Sequence, residues 1–350
     1  MKRIVICCDG TWNKPDQPSP TNVVKVAITL KITDGAGVEQ LLFYDQGVGT
    51  GTFDRIRGGA FGVGLSRNIQ EAYRFLAFNY EPGDELYFFG FSRGAYTVRS
   101  AVGLIRNSGL LKREHFGRVK EAYQLYRRRD DASHPTEAES TAFRKKYSHE
   151  PRVKFMGVWD TVGALGIPLD GPMALVNKFW EFHDLRLSRS VDFACHALAI
   201  DEKRKAFHPT LWEQHPEAPA SQVLEQVWFA GVHSNVGGGY LNTGLSDVAL
   251  LWMVDKAEAC GLAFNREYLQ TMVKPDALGK LENSQKLFYK IIGFGDFLRR
   301  LGPDPKKKPA PVTKETAAST AVERLEDSAS NYNAKNLRAF LKTGGKQTPV

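Results

Sequence analysis

Residues 85–95 constrain this chain more than any other stretch. The apolar, β-rich run Glu85-Leu86-Tyr87-Phe88-Phe89 ends in Gly90-Phe91-Ser92-Arg93-Gly94-Ala95, and a helix-compatible segment, 95–105, begins without a spacer. A strand that meets a helix across Gly-x-Ser-x-Gly has to turn sharply, which lifts the central serine clear of the sheet. A Cβ at either glycine would collide with the neighbouring strand or helix. The helix that follows points its N-terminal dipole and its N–H groups at the space beside the serine, where a negatively charged oxygen would be stabilised. Short glycine patterns recur by chance, but this strand–turn–helix setting favours a nucleophilic serine over an ordinary tight turn.

Apolar runs at 4–8, 41–44, 86–89, 153–159, 193–200 and 223–230 alternate with amphipathic stretches at 65–79, 96–105, 118–126, 247–259 and 266–273. Strands this short and continuously apolar, separated by helices, predict a mostly parallel central sheet with helices on both faces, an α/β-hydrolase-like fold. Ser246 is the expected N-cap of the helix from Asp247, and Gly261 its expected terminator. We expect a catalytic domain over 1–301, a Pro-, Lys- and Ala-rich linker over 302–319 and a short helical tail over 320–350. The segment 167–191, which carries Met173, Leu175, Phe179, Trp180 and Phe182, reads equally as a lid over the site or as a helix packed on the core.

A serine nucleophile needs a base, and the base needs an orienting acid. The best base is His233, just past an apolar strand in Gly231-Val232-His233-Ser234-Asn235-Val236-Gly237-Gly238-Gly239-Tyr240. The remaining histidines lie in polar stretches (His115, His134, His149, His183), inside a strand (His196) or in a loop (His208, His215). Two strand-end carboxylates, Asp160 and Asp201, fit the chain order serine, acid, histidine. Common hydrolase topology favours Asp201, whereas the basic run Lys203-Arg204-Lys205 offers that residue salt-bridge partners and a structural role. Spacing leaves the two even. After the first strand comes Asp9-Gly10-Thr11-Trp12-Asn13. Backbone N–H groups of Gly10 or Thr11, with that of Arg93, would form an oxyanion hole, with Asp9 and Asn13 bracing the turn; a plain β-turn held by those two side chains is the competing reading.

Taken in order, Cys8-Asp9-Gly10-Thr11-Trp12-Asn13, Tyr44-Asp45-Gln46-Gly47-Val48-Gly49-Thr50, Gly90-Phe91-Ser92-Arg93-Gly94-Ala95, Val158-Trp159-Asp160-Thr161-Val162-Gly163 and the His233 segment resemble one family. It is the α/β-hydrolase domain family that includes type VI secretion phospholipase effectors of the first class and uncharacterised stand-alone relatives. The resemblance spans about residues 2–262, with a fainter echo over 322–337. It implies Ser92, Asp160 and His233 as nucleophile, acid and base, and it ranks Asp160 above Asp201. It also implies hydrolysis of a phospholipid acyl ester. Many relatives carry Asp where this chain has Asn235.

Other chemistries fail on essential residues. Cys7 stands where an aspartate-nucleophile phosphatase needs its Asp, and no Arg lies six residues beyond Cys7 or Cys8 for a cysteine phosphatase loop. The 47–51 glycines have the wrong spacing for a dinucleotide fingerprint and lack a Gly-Lys-Ser/Thr. No motif for catalytic zinc occurs, and neither a metal nor a cofactor is expected. The four cysteines, Cys7, Cys8, Cys195 and Cys260, read as buried thiols of a reducing compartment. No signal peptide and no run of about 18 apolar residues is found. We therefore expect cytoplasmic synthesis, with export open only to a signal-independent system. The net charge is +8. Without a nucleic-acid motif this favours at most peripheral contact with an anionic membrane. The alternative to an ester hydrolase is a catalytically silent hydrolase fold that binds a partner or such a membrane. Oligomeric state is not legible.

Overall fold

Among the described residues ten strands follow one another as β1 (Arg3–Cys8), β2 (Gln40–Asp45), β3 (Glu85–Phe91), β4 (Leu110–Leu111), β5 (Ser148–His149), β6 (Val153–Trp159), β7 (Val191–Ala199), β8 (Val223–Phe229), β9 (Glu315–Ala318) and β10 (Gln347–Thr348). The computed structural model describes residues 1–10, 19–47, 58–128, 130, 133–163, 185–284, 297–304, 306 and 309–350. β4 and β5 pair antiparallel with each other. The other eight form one sheet in the order β10-β9-β8-β7-β6-β3-β1-β2, and every neighbouring pair is parallel. All six expected apolar runs are strands of this sheet, so the fold is α/β and hydrolase-like.

Helices α1 (Asn22–Thr29), α2 (Gly58–Asn79), α3 (Arg93–Ser108), α4 (Val119–Arg127), α5 (Ala138–Tyr147), α6 (His233–Gly237), α7 (Gly244–Ala259), α8 (Arg266–Met272), α9 (Ser319–Glu326) and α10 (Lys335–Lys342) cover the sheet. Along β1, Val5 and Cys7 enter one core, with Leu250 and Met253 of α7, Val322 of α9 and Leu337 of α10. Ile4, Ile6 and Cys8 enter the opposite core, with Ile69 and Tyr73 of α2, Val98 and Leu104 of α3 and Phe143 of α5. Both faces are buried, which is why the strands read as unbroken apolar runs rather than alternating ones. Cys7, Cys8 and Cys195 are buried thiols, while Cys260 is partly exposed.

The chain runs from β1 outward to β2, then returns to the other side of β1 as β3 and continues outward through β6, β7 and β8. This reversal opens a crevice at the carboxyl ends of β1 and β3, the place where open α/β sheets bind ligands. The loops that begin at Asp9 and at Ser92 leave from those two strand ends.

Three expectations are corrected. The linker expected over 302–319 does not extend through its last residues, because Glu315–Ala318 is β9 and pairs with β8. Nor is 320–350 an appendage: β10 extends the same sheet, and Leu325, Leu337 and Phe340 belong to its core. A four-residue strand of Glu, Thr and two Ala carries no apolar signature, and it forms by adding to an edge already made. The N-cap of α7 is Thr243 rather than Ser246, whose hydroxyl donates to Thr243 O at 2.9 Å inside the first turn. Asp247 beside it is buried, accepting from Thr243 Oγ1 at 2.7 Å and meeting Lys25 of α1 at 2.5 Å. Of the lid segment 167–191, residues 167–184 lie outside the described residues; 185–190 lead into β7, with Leu187 N–H donating to Glu213 O at 2.8 Å. Among the described residues no helix is long and apolar enough to cross a membrane.

Candidate active site

The turn after β3 is tight in the way its glycines require. A Cβ on Gly94 would stand 2.0 Å from Cys8 O, and one on Gly90 would stand 2.7 Å from Ala95 Cα. Ser92 itself adopts φ 58° and ψ −119°, a region that non-glycine residues seldom enter. The surroundings impose it: Ser92 N–H donates to Trp159 O at the end of β6 (3.1 Å), and α3 begins at the next residue. Its hydroxyl makes no capping bond to α3, so it is available to another partner.

That partner is His233. The chain leaves β8 at Phe229, and His233 opens α6 with its ring over Ser92. Nε2 lies 2.8 Å from Ser92 Oγ, and Nδ1 lies 2.6 Å from Asp160 Oδ2. Such a line assigns the tautomer: Nδ1–H donates to the carboxylate, and Nε2 accepts from the serine hydroxyl. Phe91 and Phe207 flank the imidazole at 4.6 and 4.8 Å between ring centroids. Ser92 is 7% exposed, His233 5% and Asp160 0%. Burial pushes the imidazole pKa below its ordinary value, against the opposing pull of Asp160, so the resting ring is the neutral, proton-accepting form.

Asp160 follows β6 with φ 38°. Its Oδ1 accepts from Ala199 N–H at 3.0 Å and from Arg299 Nη1 at 2.6 Å, and its Oδ2 accepts from Arg299 Nη2 at 3.0 Å as well as from His233. Burial works against the charge, but Arg299 and His233 outweigh it and hold the carboxyl below the usual carboxylate range. His196 steadies the same strand end, its Nε2 accepting from Thr161 N–H at 3.1 Å while Nδ1–H donates to Gln226 Oε1 at 3.2 Å. Sequence reasoning singled out neither residue. His196 reads as a strand residue, and Arg299 lies in an irregular segment with no pattern around it.

The competing acid, Asp201, is turned elsewhere. Its Oδ2 accepts from Gly231 N–H at 2.7 Å and from Tyr332 OH at 2.8 Å, and burial raises its pKa to about 6. The basic run beyond it serves Glu202 instead, through Arg204 Nη2 at 2.8 Å. Glu202 Oε2 in turn accepts His233 N–H at 3.2 Å and so supports the base from behind.

The oxyanion candidates divide. Arg93 is the first residue of α3, beside Ser92. Gly10 departs from expectation: its N–H donates to Asp9 Oδ1 at 2.6 Å. Asp9 braces the turn through Oδ2, which accepts from Thr21 Oγ1 at 2.6 Å and from Tyr44 OH at 3.1 Å. Thr11 and Asn13 lie outside the described residues. Asn235 uses both ends of its amide, Oδ1 accepting Val232 and Glu282 N–H at 3.3 and 3.1 Å and Nδ2 donating to Lys280 O at 3.4 Å. An aspartate there would lack the donor. A cavity of about 690 Å³ bounded by Arg99, Tyr126, Arg186 and Trp212 touches none of the Ser92, His233 and Asp160 side chains. Among the described residues no group of three or more His, Cys, Asp or Glu could hold a metal ion.

Comparison with known proteins bears on this arrangement. A yeast protein of Saccharomyces cerevisiae, the uncharacterised YEL023C, is 30% identical over 240 residues, which is 62% of this chain and 34% of that protein. The chain therefore spans about a third of the length of that relative. A crystal structure of an uncharacterised Pseudomonas aeruginosa protein aligns at TM-score 0.46 and 16% identity, over 79% of this chain and 49% of the other. The Tle1 effector bound to the VgrG spike of the type VI secretion system aligns at TM-score 0.44 and 15% identity, over 89% and 91%. The model of the Tle1-like phospholipase effector catalytic domain matches residues 2–256, a span that holds Ser92, Asp160 and His233. This chain belongs to the Tle1-like phospholipase effector catalytic-domain family of the type VI secretion system.

Proposed function

We propose that the chain is a serine hydrolase that cleaves carboxylic esters through an acyl-enzyme, with acyl phospholipids as its substrate class. One observation carries this reading: the hydrogen-bond line from Asp160 through His233 to Ser92, 2.6 Å and 2.8 Å long, on a hydroxyl lifted by a sharp strand–helix turn. His233 Nε2 takes the Ser92 proton as Oγ bonds to the ester carbonyl carbon. The resulting oxyanion rests on the Arg93 N–H and the dipole of α3, with a second donor from the turn after β1, either Thr11 or a Gly10 released from Asp9. The carbon–oxygen bond to the alcohol then breaks, and His233 returns its proton to the leaving oxygen. Water, deprotonated by His233, attacks the acyl group and frees Ser92. Asp160 remains ionised throughout and balances the transient imidazolium.

Family membership supports the lipid class. The net charge of +8 supports peripheral contact with an anionic membrane. The test is labelling with a fluorophosphonate probe, followed by a panel of short- and long-chain esters and intact phospholipids. The wild type is expected to label and turn over. Ser92→Ala is expected to lose labelling and about 10⁵-fold or more in kcat. Unimpaired labelling or turnover in Ser92→Ala would overturn the reading. A folded wild type inert toward probe and panel would favour the silent, partner-binding alternative.

A further inference from the structure

Arg299 lies beyond the span matched by the family, residues 2–256, in a segment without regular secondary structure. Its side chain is nevertheless 1% exposed and reaches the triad acid with both terminal nitrogens, Nη1 to Oδ1 at 2.6 Å and Nη2 to Oδ2 at 3.0 Å. The same nitrogens donate to the carbonyls of Ala199 (2.7 Å) and Phe207. Its own carbonyl is held by Asn336 Nδ2 of α10 at 3.1 Å, which also donates to Ile200 O at 3.0 Å.

We propose that Arg299 is a positioning residue for the triad: its planar fork fixes the plane of the Asp160 carboxylate, and its charge, acting together with burial, keeps His233 neutral and able to act as a base. This rests on the hydrolase reading above. The geometry gives two reasons. Each Asp160 oxygen already accepts two donors, Ala199 N–H and Nη1 on Oδ1, His233 Nδ1–H and Nη2 on Oδ2. Turning the carboxylate out of that plane would break the contact to His233 together with the fork. The second reason is electrostatic. A lone carboxylate buried against an imidazole stabilises the imidazolium, and a base already protonated at neutral pH cannot take the serine proton. A guanidinium on the far side of the carboxylate opposes that.

Other charged and titratable groups act on the same ring and carboxylate. Glu202 and Arg204 face His233 from the turn after β7, and His196 of β7 and His208 beyond it sense the Asp160 charge. The experiment therefore changes Arg299 alone, in the full chain, as Arg299→Lys, Arg299→Met and Arg299→Ala. Two readouts are taken, the pH profile of kcat/KM on an ester and the His233 imidazole pKa by proton NMR of the resting protein.

Lysine keeps the charge but not the fork. It is expected to leave the His233 pKa in place while kcat falls about 100-fold at unchanged KM. Methionine keeps neither, so the acid limb and the NMR pKa are expected to move up by about one pH unit, with a comparable or larger loss of kcat. Guanidinium ion is expected to restore part of the turnover of Arg299→Ala. Wild-type kcat in Arg299→Lys would overturn the proposal. So would an unmoved His233 pKa in Arg299→Met, or no rescue by guanidinium, since a merely structural cation predicts those results. If Arg299→Met fails to fold, Arg299→Lys and the guanidinium titration decide. The NMR pKa needs no turnover, so failure here is distinguishable from failure of the hydrolase reading, which Ser92→Ala reports.

Discussion

Asp160 and Asp201 stand at equivalent places, each just past the carboxyl end of a central strand, β6 and β7, and each is buried. One is gripped by a guanidinium and an imidazole, and its pKa is held below the carboxylate range despite burial. The other accepts from the neutral Gly231 N–H and Tyr332 OH, with Arg324 and Lys203 acting on it only as more weakly felt charges, and burial raises it to about 6. Position on the sheet is thus not what separates a carboxylate held against the imidazole from a loop anchor. The difference lies in which cation reaches the site, and here it comes from the C-terminal part of the chain.

The contrast can be broken most strongly at Asp160. Asp160→Asn is expected to lose about 10⁴-fold in kcat/KM, because an amide donor against Nδ1 favours the wrong imidazole tautomer. Ester turnover measures it, and a loss under tenfold would remove Asp160 from the triad. Asp201→Asn keeps an acceptor for Gly231 N–H and is expected to lose less than about tenfold. If the two losses were reversed, Asp201 would be the acid.

The two residues also bend stability against pH in opposite senses. For Asp201 the folded pKa, about 6, lies above that of an unfolded aspartate, about 3.9. Between those values the folded protein holds a proton that the unfolded chain has released, so stability falls as pH rises through the window and levels off above it. Asp201→Asn lacks this fall, and its Tm relative to wild type is expected to rise between pH 4 and 6.5 on that account. For Asp160 the folded pKa is depressed, so its contribution is complete above about 3.9 and is lost as pH falls through the folded value. A thermal melt series across pH tests both signs. The smallest effect is expected at Tyr332→Phe, which removes one donor from Asp201 and should cost about 1 kcal/mol in denaturant unfolding, with turnover unchanged.

Much of this was legible in the residues, for reasons that differ between elements. The turn at Ser92 is local: two glycines, a serine and a flanking strand and helix specify it within six residues, and the short approaches at Gly90 and Gly94 are its physical content. His233 was picked out because it follows an apolar strand in the last third of a chain that carries the Ser92 turn, and the structure brings it to Ser92. Gly10 misled because an amide that looks available in sequence is engaged by the side chain of the residue before it. β9 hid behind a Pro- and Lys-rich stretch, although Trp228 Nε1 donates to Glu315 Oε2 at 2.9 Å and ties it to β8, and the expected helical tail gave no sign that it packs into the core.

Sequence alone determined the layered α/β architecture and the sharp turn that carries Ser92, because strand hydrophobicity and the glycine-serine-glycine turn are short-range properties of consecutive residues. Only the tertiary structure chose which of the two carboxylates lies against His233, Asp160, and brought Arg299 to it. That choice depends on a contact 139 positions apart along the chain, between side chains whose meeting no local pattern encodes. It follows from how the C-terminal segment packs against the sheet, where a cation delivered to a buried carboxylate offsets the cost of its charge.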